Sequence, residues 1–169
     1  MMKTKLTCIL IGIFNLFLLS PANSFAQNDK AIKLNELIES PGNFSEILSV
    51  TESKEINSLV YDLHPTVFIS DTEIKTFGQE APVKAEFYPG SYTSLQRSNP
   101  DYNAVKLLTI KANEAANFNT RIDVSTLTAF RSLKYILVEC SFNCSSGEIQ
   151  NLFSNLEDVV VLYIIATPE

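Results

Sequence analysis

The chain has 169 residues, with 13 basic against 19 acidic side chains, one histidine, five glycines and a formal net charge of −6. An acidic surface repels phosphate, which argues against nucleic acid and against anionic lipid held by a basic patch. The single His64 and the scattered glycines offer no catalytic triad, no phosphate-cradling loop and no metal-spaced cluster, so the common enzyme and cofactor classes are disfavoured.

Residues 1–26 read as a secretory signal peptide. Lys3 and Lys5 precede an apolar run over 6–19, Ser20-Pro21 breaks it, and Ser24-Phe25-Ala26 presents small residues to a signal peptidase. The run is too short to span a bilayer, and Asn15 interrupts it. Cleavage after Ala26 is expected, which starts the mature chain at Gln27 and places it in the periplasm, at the cell surface or outside the cell. No membrane span remains. Loss of the two leader lysines lowers the net charge from −6 to −8. Residues 27–169 then have the size of one domain with a sizeable core.

Asn28-Asp29 can cap an N-terminal helix over 29–39, apolar at Ile32, Leu34, Leu37 and Ile38 and ended by Pro41-Gly42. Asn43 can cap a second short helix through Phe44, Ile47 and Leu48, and 51–55 reads as a polar link. Residues 56–69, divided by His64-Pro65, predict two short strands or a strand and an extended segment. Ser70 and Glu73 match a capping box, which predicts a short helix over 71–77 stopped by Gly78. Residues 82–88 alternate Val83, Ala85, Phe87 against Lys84, Glu86, Tyr88, the period of a half-buried strand. The stretch 89–101 is the longest loop-like segment.

One apolar phrase is then written three times: Val105-x-x-Leu108-x-Ile110, Leu133-x-x-Ile136-x-Val138 and Leu156-x-x-Val159-x-Val161. Between the copies, Leu127, Phe130 and Leu133 recur every third residue. Ile149, Leu152, Phe153 and Leu156 follow the stripe of an amphipathic helix, started by a Ser145–Glu148 capping box. The tail is therefore expected to alternate strand and helical turn. Val67 and Ala85 extend the series to five units, standing with Leu108, Ile136 and Val159.

Over about residues 105–166 this pattern resembles an irregular leucine-rich repeat, with Asn113 at the position where such repeats bond the turn backbone and Ser141 and Ile164 at the equivalent places. The phrases also resemble small secreted bacterial proteins that carry no assigned activity. The resemblance implies an α/β fold of short parallel strands alternating with helical turns. The alternative is a compact α/β sheet domain with crossover helices.

In the repeat reading Leu108, Ile110, Ile136, Val138, Val159 and Val161 point to the core. Leu107, Thr109, Lys111, Tyr135, Leu137, Glu139, Asp158, Val160 and Leu162 form the opposite, candidate interaction face, with Lys111 and Glu139 as a cross-strand charge pair. That apolar face is either a partner surface or is covered by the N-terminal helix. After leader removal the remaining cysteines are Cys140 and Cys144, which either pair as a disulfide across a tight turn or remain two buried thiols. The expected function is a non-enzymatic secreted module, without cofactor or metal, that binds a protein or glycan partner. Alternatives are a surface protein that forms a homo-oligomer through its last strand and, less favoured, a hydrolase with carboxylate chemistry.

Overall fold

The computed structural model describes residues 31–90 and 92–166. The signal peptide, Gln27 and the Asn28-Asp29 cap lie outside the described residues. The chain runs through β1 (Ile32–Lys33), α1 (Leu34–Glu39), α2 (Val50–Tyr61), β2 (Thr66–Ile69), β3 (Ile74–Phe77), β4 (Lys84–Phe87) and β5 (Leu107–Ala112). It continues through β6 (Ile122–Asp123), β7 (Tyr135–Cys140), α3 (Ser146–Asn151), β8 (Phe153–Ser154) and β9 (Val160–Ile165).

The main sheet has the order β1-β9-β7-β5-β4-β2-β3, while β6 and β8 pair separately. Every neighbouring pair in the main sheet is parallel except β2 with β3. The protein is therefore a mixed α/β domain with a mostly parallel sheet, whose strands β2, β4, β5, β7 and β9 lie side by side in chain order.

Parallel strands of this kind bury both faces. On the back, Val67, Ile69, Ala85, Phe87, Leu108, Ile110, Ile136, Val138 and Val161 join one core cluster with Leu95, Tyr102 and Phe130. Tyr102 stacks on Phe130 with ring centroids 4.4 Å apart, and burial pushes its phenol pKa up to about 12. On the front, Leu107, Tyr135, Leu137 and Leu162 pack against Leu34 and Leu37 of α1 and Ile56 and Leu59 of α2.

Four expectations change. First, residues 51–55 are not a polar link, and of the strands expected over 56–69 only the one after His64-Pro65 forms: Val50–Tyr61 is one helix and Thr66–Ile69 is β2. Ser49 is its N-cap, with the Glu52 amide donating to Ser49 Oγ at 3.2 Å and the Ser49 amide donating to Glu52 Oε2 at 2.8 Å. This capping box, followed by Ile56, Leu59 and Val60 at helical spacing, is the signal that outweighs the β-rich tail of the segment.

Second, 71–77 is not a helix. The Ser70 hydroxyl does accept from the Glu73 amide at 3.1 Å, but the Ser70 amide also donates to the Glu73 carbonyl at 2.9 Å, closing a β-turn into antiparallel β3. A Ser-x-x-Glu bond serves a turn as well as a helix start. Gly78 ends β3 at φ 110°, and a Cβ there would meet Pro65 Cβ at 2.8 Å.

Third, the N-terminal helix is shorter than 29–39. Within the described residues Ile32–Lys33 is a strand and the helix is Leu34–Glu39, six residues long. The segment around Asn43 is a 3₁₀ turn over Pro41–Phe44.

Fourth, β9 sits two residues later than the repeat alignment places it. Val161, not Val159, stands beside Ile136, and Val160 beside Tyr135. Asp158 falls in the turn before β9 with φ 59°. A shift of two preserves which face each side chain meets, so the apolar period alone could not detect it.

The linkers are built from tight turns. Leu127, Phe130 and Leu133 donate backbone bonds to Val124, Leu127 and Phe130 at 3.0, 2.9 and 3.2 Å, so their three-residue rhythm is that of successive 3₁₀ turns. Ser145 caps α3 through Glu148 as expected, but α3 ends at Asn151 and Phe153 enters β8. The turn after β5 is held by Asn117, whose Oδ1 accepts from the amides of Asn113 and Glu114 at 3.0 and 3.1 Å, rather than by the Asn113 side chain. The 89–101 segment holds one 3₁₀ turn, Tyr92–Gln96, and runs into a second, Pro100–Tyr102; they bury Leu95 and Tyr102.

Glu55 clamps α2 to the sheet. Its carboxylate accepts from Lys106 Nζ at 2.7 Å, Tyr135 OH at 3.0 Å and Lys134 Nζ at 3.4 Å. The Lys106 bond, against the opposing cost of burial and helped by Tyr135 and Lys134, holds this carboxyl below the usual range. Glu55→Gln is expected to lower stability by about 1–2 kcal/mol at neutral pH. A depressed folded pKa contributes stability that is full above the ordinary carboxylate value of about 4.3 and is lost as pH falls through the folded value. Urea midpoints of wild type and variant should therefore converge in acid.

Candidate functional site

The helical cover of the front face stops at β5. Under α1 and α2 the front positions are Leu107, Tyr135, Leu137 and Leu162, all buried, and Thr109 beside them is buried as well. These residues, named from the sequence as an interaction face, lie beneath the helices and present no free surface. Val160 is half-buried against the same cluster, and Asp158 is exposed in its turn. The outer edge of β9 carries β1, with Ile32 beside Leu162 and Lys33 beside Tyr163.

Beyond β5 the front positions change character. They are Lys84 and Glu86 on β4, Thr66 and Phe68 on β2, and Phe77 on β3, set side by side by the strand register. The chain leaving α2 through Asp62, Leu63 and His64 walls one end. Together these residues line an open groove of about 530 Å³. The Phe68 and Phe77 rings meet edge to face at 5.3 Å. Leu63 is fully exposed and Phe77 60 % exposed, with Tyr61 and Tyr88 also exposed nearby. Large apolar side chains gathered on one side of an uncovered sheet are the feature that marks an interaction surface, whereas single ones are not.

A charge ladder borders the groove. Lys111 Nζ lies 2.7 Å from Glu139 Oε2 and 3.7 Å from Glu86 Oε2, across three adjacent strands. Tyr88 OH donates to Glu86 at 3.3 Å. Burial opposes the Lys111 charge, but the Glu139 bond and the Glu86 carboxylate outweigh it and hold the pKa above the usual lysine range. Burial, then the Glu86 charge, pushes the Tyr88 phenol up. Lys84 is shifted the other way: burial disfavours its ammonium, only partly offset by Glu86.

His64 supports the groove wall. Its Nε2 lies 3.2 Å from the Ser58 carbonyl and 3.3 Å from Ser58 Oγ. A carbonyl only accepts, so Nε2 carries the proton there, while Ser58 Oγ donates to Asp62 Oδ2 at 2.7 Å. This arrangement ties off the end of α2.

Cys140 is buried at the end of β7, and Cys144 stands in the turn before α3. Their sulfurs lie 2.7 Å apart, near but beyond disulfide bonding distance. Burial, the largest cause for each, raises both thiol pKa values. Among the described residues no group of three or more His, Cys, Asp or Glu side chains is placed to hold a metal ion, and no helix is long and apolar enough to cross a membrane.

The sequence brings out Lys111 and Glu139 as a pair, but not Leu63, Phe68, Phe77, Lys84 or Glu86 as a site. The alternation of 82–88 does mark Lys84 and Glu86 as facing away from the back core. Nothing local shows that the face they occupy is left open.

Removing the central cation of the ladder leaves two facing carboxylates. Lys111→Met is expected to cost about 2 kcal/mol at neutral pH. Urea midpoints of wild type and variant at neutral pH read this. Comparison with family models, with curated proteins and with solved structures gave no match.

Proposed function

We propose that this chain is a secreted, non-enzymatic binding module whose partner, a protein or a glycan, contacts the uncovered front of the sheet. The single observation that carries this reading is the change along that face from apolar side chains sealed under α1 and α2 to exposed Leu63 and Phe77 around a groove. A sheet with one part of a face left open, lined by aromatic groups and a few charges, matches the general chemistry of recognition surfaces. Export rests on residues 1–26, which have the charge, apolar length and small residues of a leader.

The architecture is read as an irregular, leucine-rich-repeat-like stack. Support comes from five parallel strands in chain order with Val67, Ala85, Leu108, Ile136 and Val161 in one row. In such a stack the end units are atypical, which accounts for antiparallel β3 at one end and the β1–α1 segment at the other.

Leu63→Ser combined with Phe77→Ser tests the binding surface, since both side chains are exposed and the fold should survive. Binding that the wild type shows to arrays of immobilised glycans and peptides should be lost in the double variant. Retained binding would put the site elsewhere. In an oxidising compartment the Cys140 and Cys144 thiols are expected to close as a disulfide. Intact-mass measurement of exported protein should then show a chain two hydrogens lighter than after reduction, and identical masses would rule the bridge out.

A further inference from the structure

Three front-facing lysines border or line the groove, and they differ in their partners. Lys75 pairs with Glu73 at 2.8 Å and Lys111 with Glu139 at 2.7 Å. For Lys84, among the described residues, no carboxylate lies within ion-pairing distance. The acids near it are engaged elsewhere, Glu86 with Lys111 and Tyr88, and Asp62 with Ser58. A half-buried ammonium whose nearest acids, Glu86 and Asp62, act on it only at longer range is unfavourable, and a carboxylate brought into contact by a ligand would relieve that. Around it stand Phe68, Phe77 and Leu63, which offer apolar contact and few hydrogen bonds.

We infer that the groove takes a peptide segment whose apolar side chains lie on Phe68, Phe77 and Leu63 and whose one carboxylate pairs with Lys84. This rests on the reading of the open front face as the binding surface. A peptide fits better than a small amphiphile because the groove is open along the sheet and borders β3, the last strand of the sheet. An outer edge of that kind offers main-chain donors and acceptors to an extended chain. A strongly acidic partner is disfavoured by the chain's own net charge of −6, whereas a single carboxylate in apolar surroundings is not.

The test uses two pooled hexapeptide libraries, N-acetylated and C-amidated, apolar at all positions but one, which is Glu in the first pool and Gln in the second. Each is titrated into the isotope-labelled chain from Gln27 and followed by NMR. Amide shifts are expected at Leu63, Phe68, Phe77 and Lys84, with the Glu pool binding roughly tenfold tighter, as one charge-assisted bond allows. Lys84→Met should abolish that preference, and Lys84→Arg should keep it, provided both retain the wild-type spectrum elsewhere. Equal binding of the pools, or a preference that survives Lys84→Met, overturns the role of Lys84 while leaving the groove as a site. No groove shifts with either pool overturns the peptide assignment. If a pool of neutral oligosaccharides shifts the same amides, the occupant is a glycan; if it also leaves them unmoved, the open-face reading itself falls.

Discussion

Everything in this structure depends on burying both faces of a parallel sheet. The back face is closed by the chain's own linkers, whose 3₁₀ turns deliver Leu127, Phe130 and Leu133 to the core at each third residue. The front face has no such linkers and needs a separate layer. That layer is α1 and α2, and α2 is the larger part. It forms because Ser49 and Glu52 satisfy its first free amides, and it stays in place because Ile56 and Leu59 pack on Leu107, Tyr135 and Leu137. The Glu55 carboxylate adds direction to that packing by reaching Lys106, just before β5, and Lys134 and Tyr135 at the start of β7. Apolar contact alone would not choose the angle at which the helix lies.

The limit of this cover shapes the surface. From β5 outward the front side chains are Lys84, Glu86, Thr66, Phe68 and Phe77 in place of Leu and Tyr. Lys111 sits at the border between Glu86 and Glu139, so the transition from dry to open face is made by charges that satisfy one another. Satisfied charges of this kind keep neighbouring strands in register and resist non-specific contact. The groove next to them is different, because it combines an ammonium with no carboxylate in direct contact and aromatic groups without cover. The structure thus separates polar groups engaged in holding the fold from those left over.

Much of the sheet was legible in the residues. Alternation located β4, the repeated apolar phrase located β5, β7 and β9, the Ser145–Glu148 box located the start of α3, and period two put Lys111 opposite Glu139. These are properties of a few consecutive residues, carried by the fixed geometry of strand and helix. The same local signals misled where they serve two structures. Ser70 and Glu73 make their expected bond inside a β-turn, and the apolar Leu59-Val60-Tyr61 run is helical because a cap and a core stripe outweigh propensity.

What only the tertiary structure decided is register and coverage. The two-residue offset of β9 leaves every side chain on its own face, so no hydrophobic pattern distinguishes it; the pairing of Ile136 with Val161 comes from the length of the turn holding Asp158. Likewise a front residue reads the same in sequence whether a helix lies over it or not. Leu137 and Phe68 are both apolar strand positions, yet one is sealed beneath α2 and the other opens on the groove. The sequence by itself determined the faces of the strands, because those follow from the backbone period. Which part of a face remains open was settled by where a distant helix could be anchored.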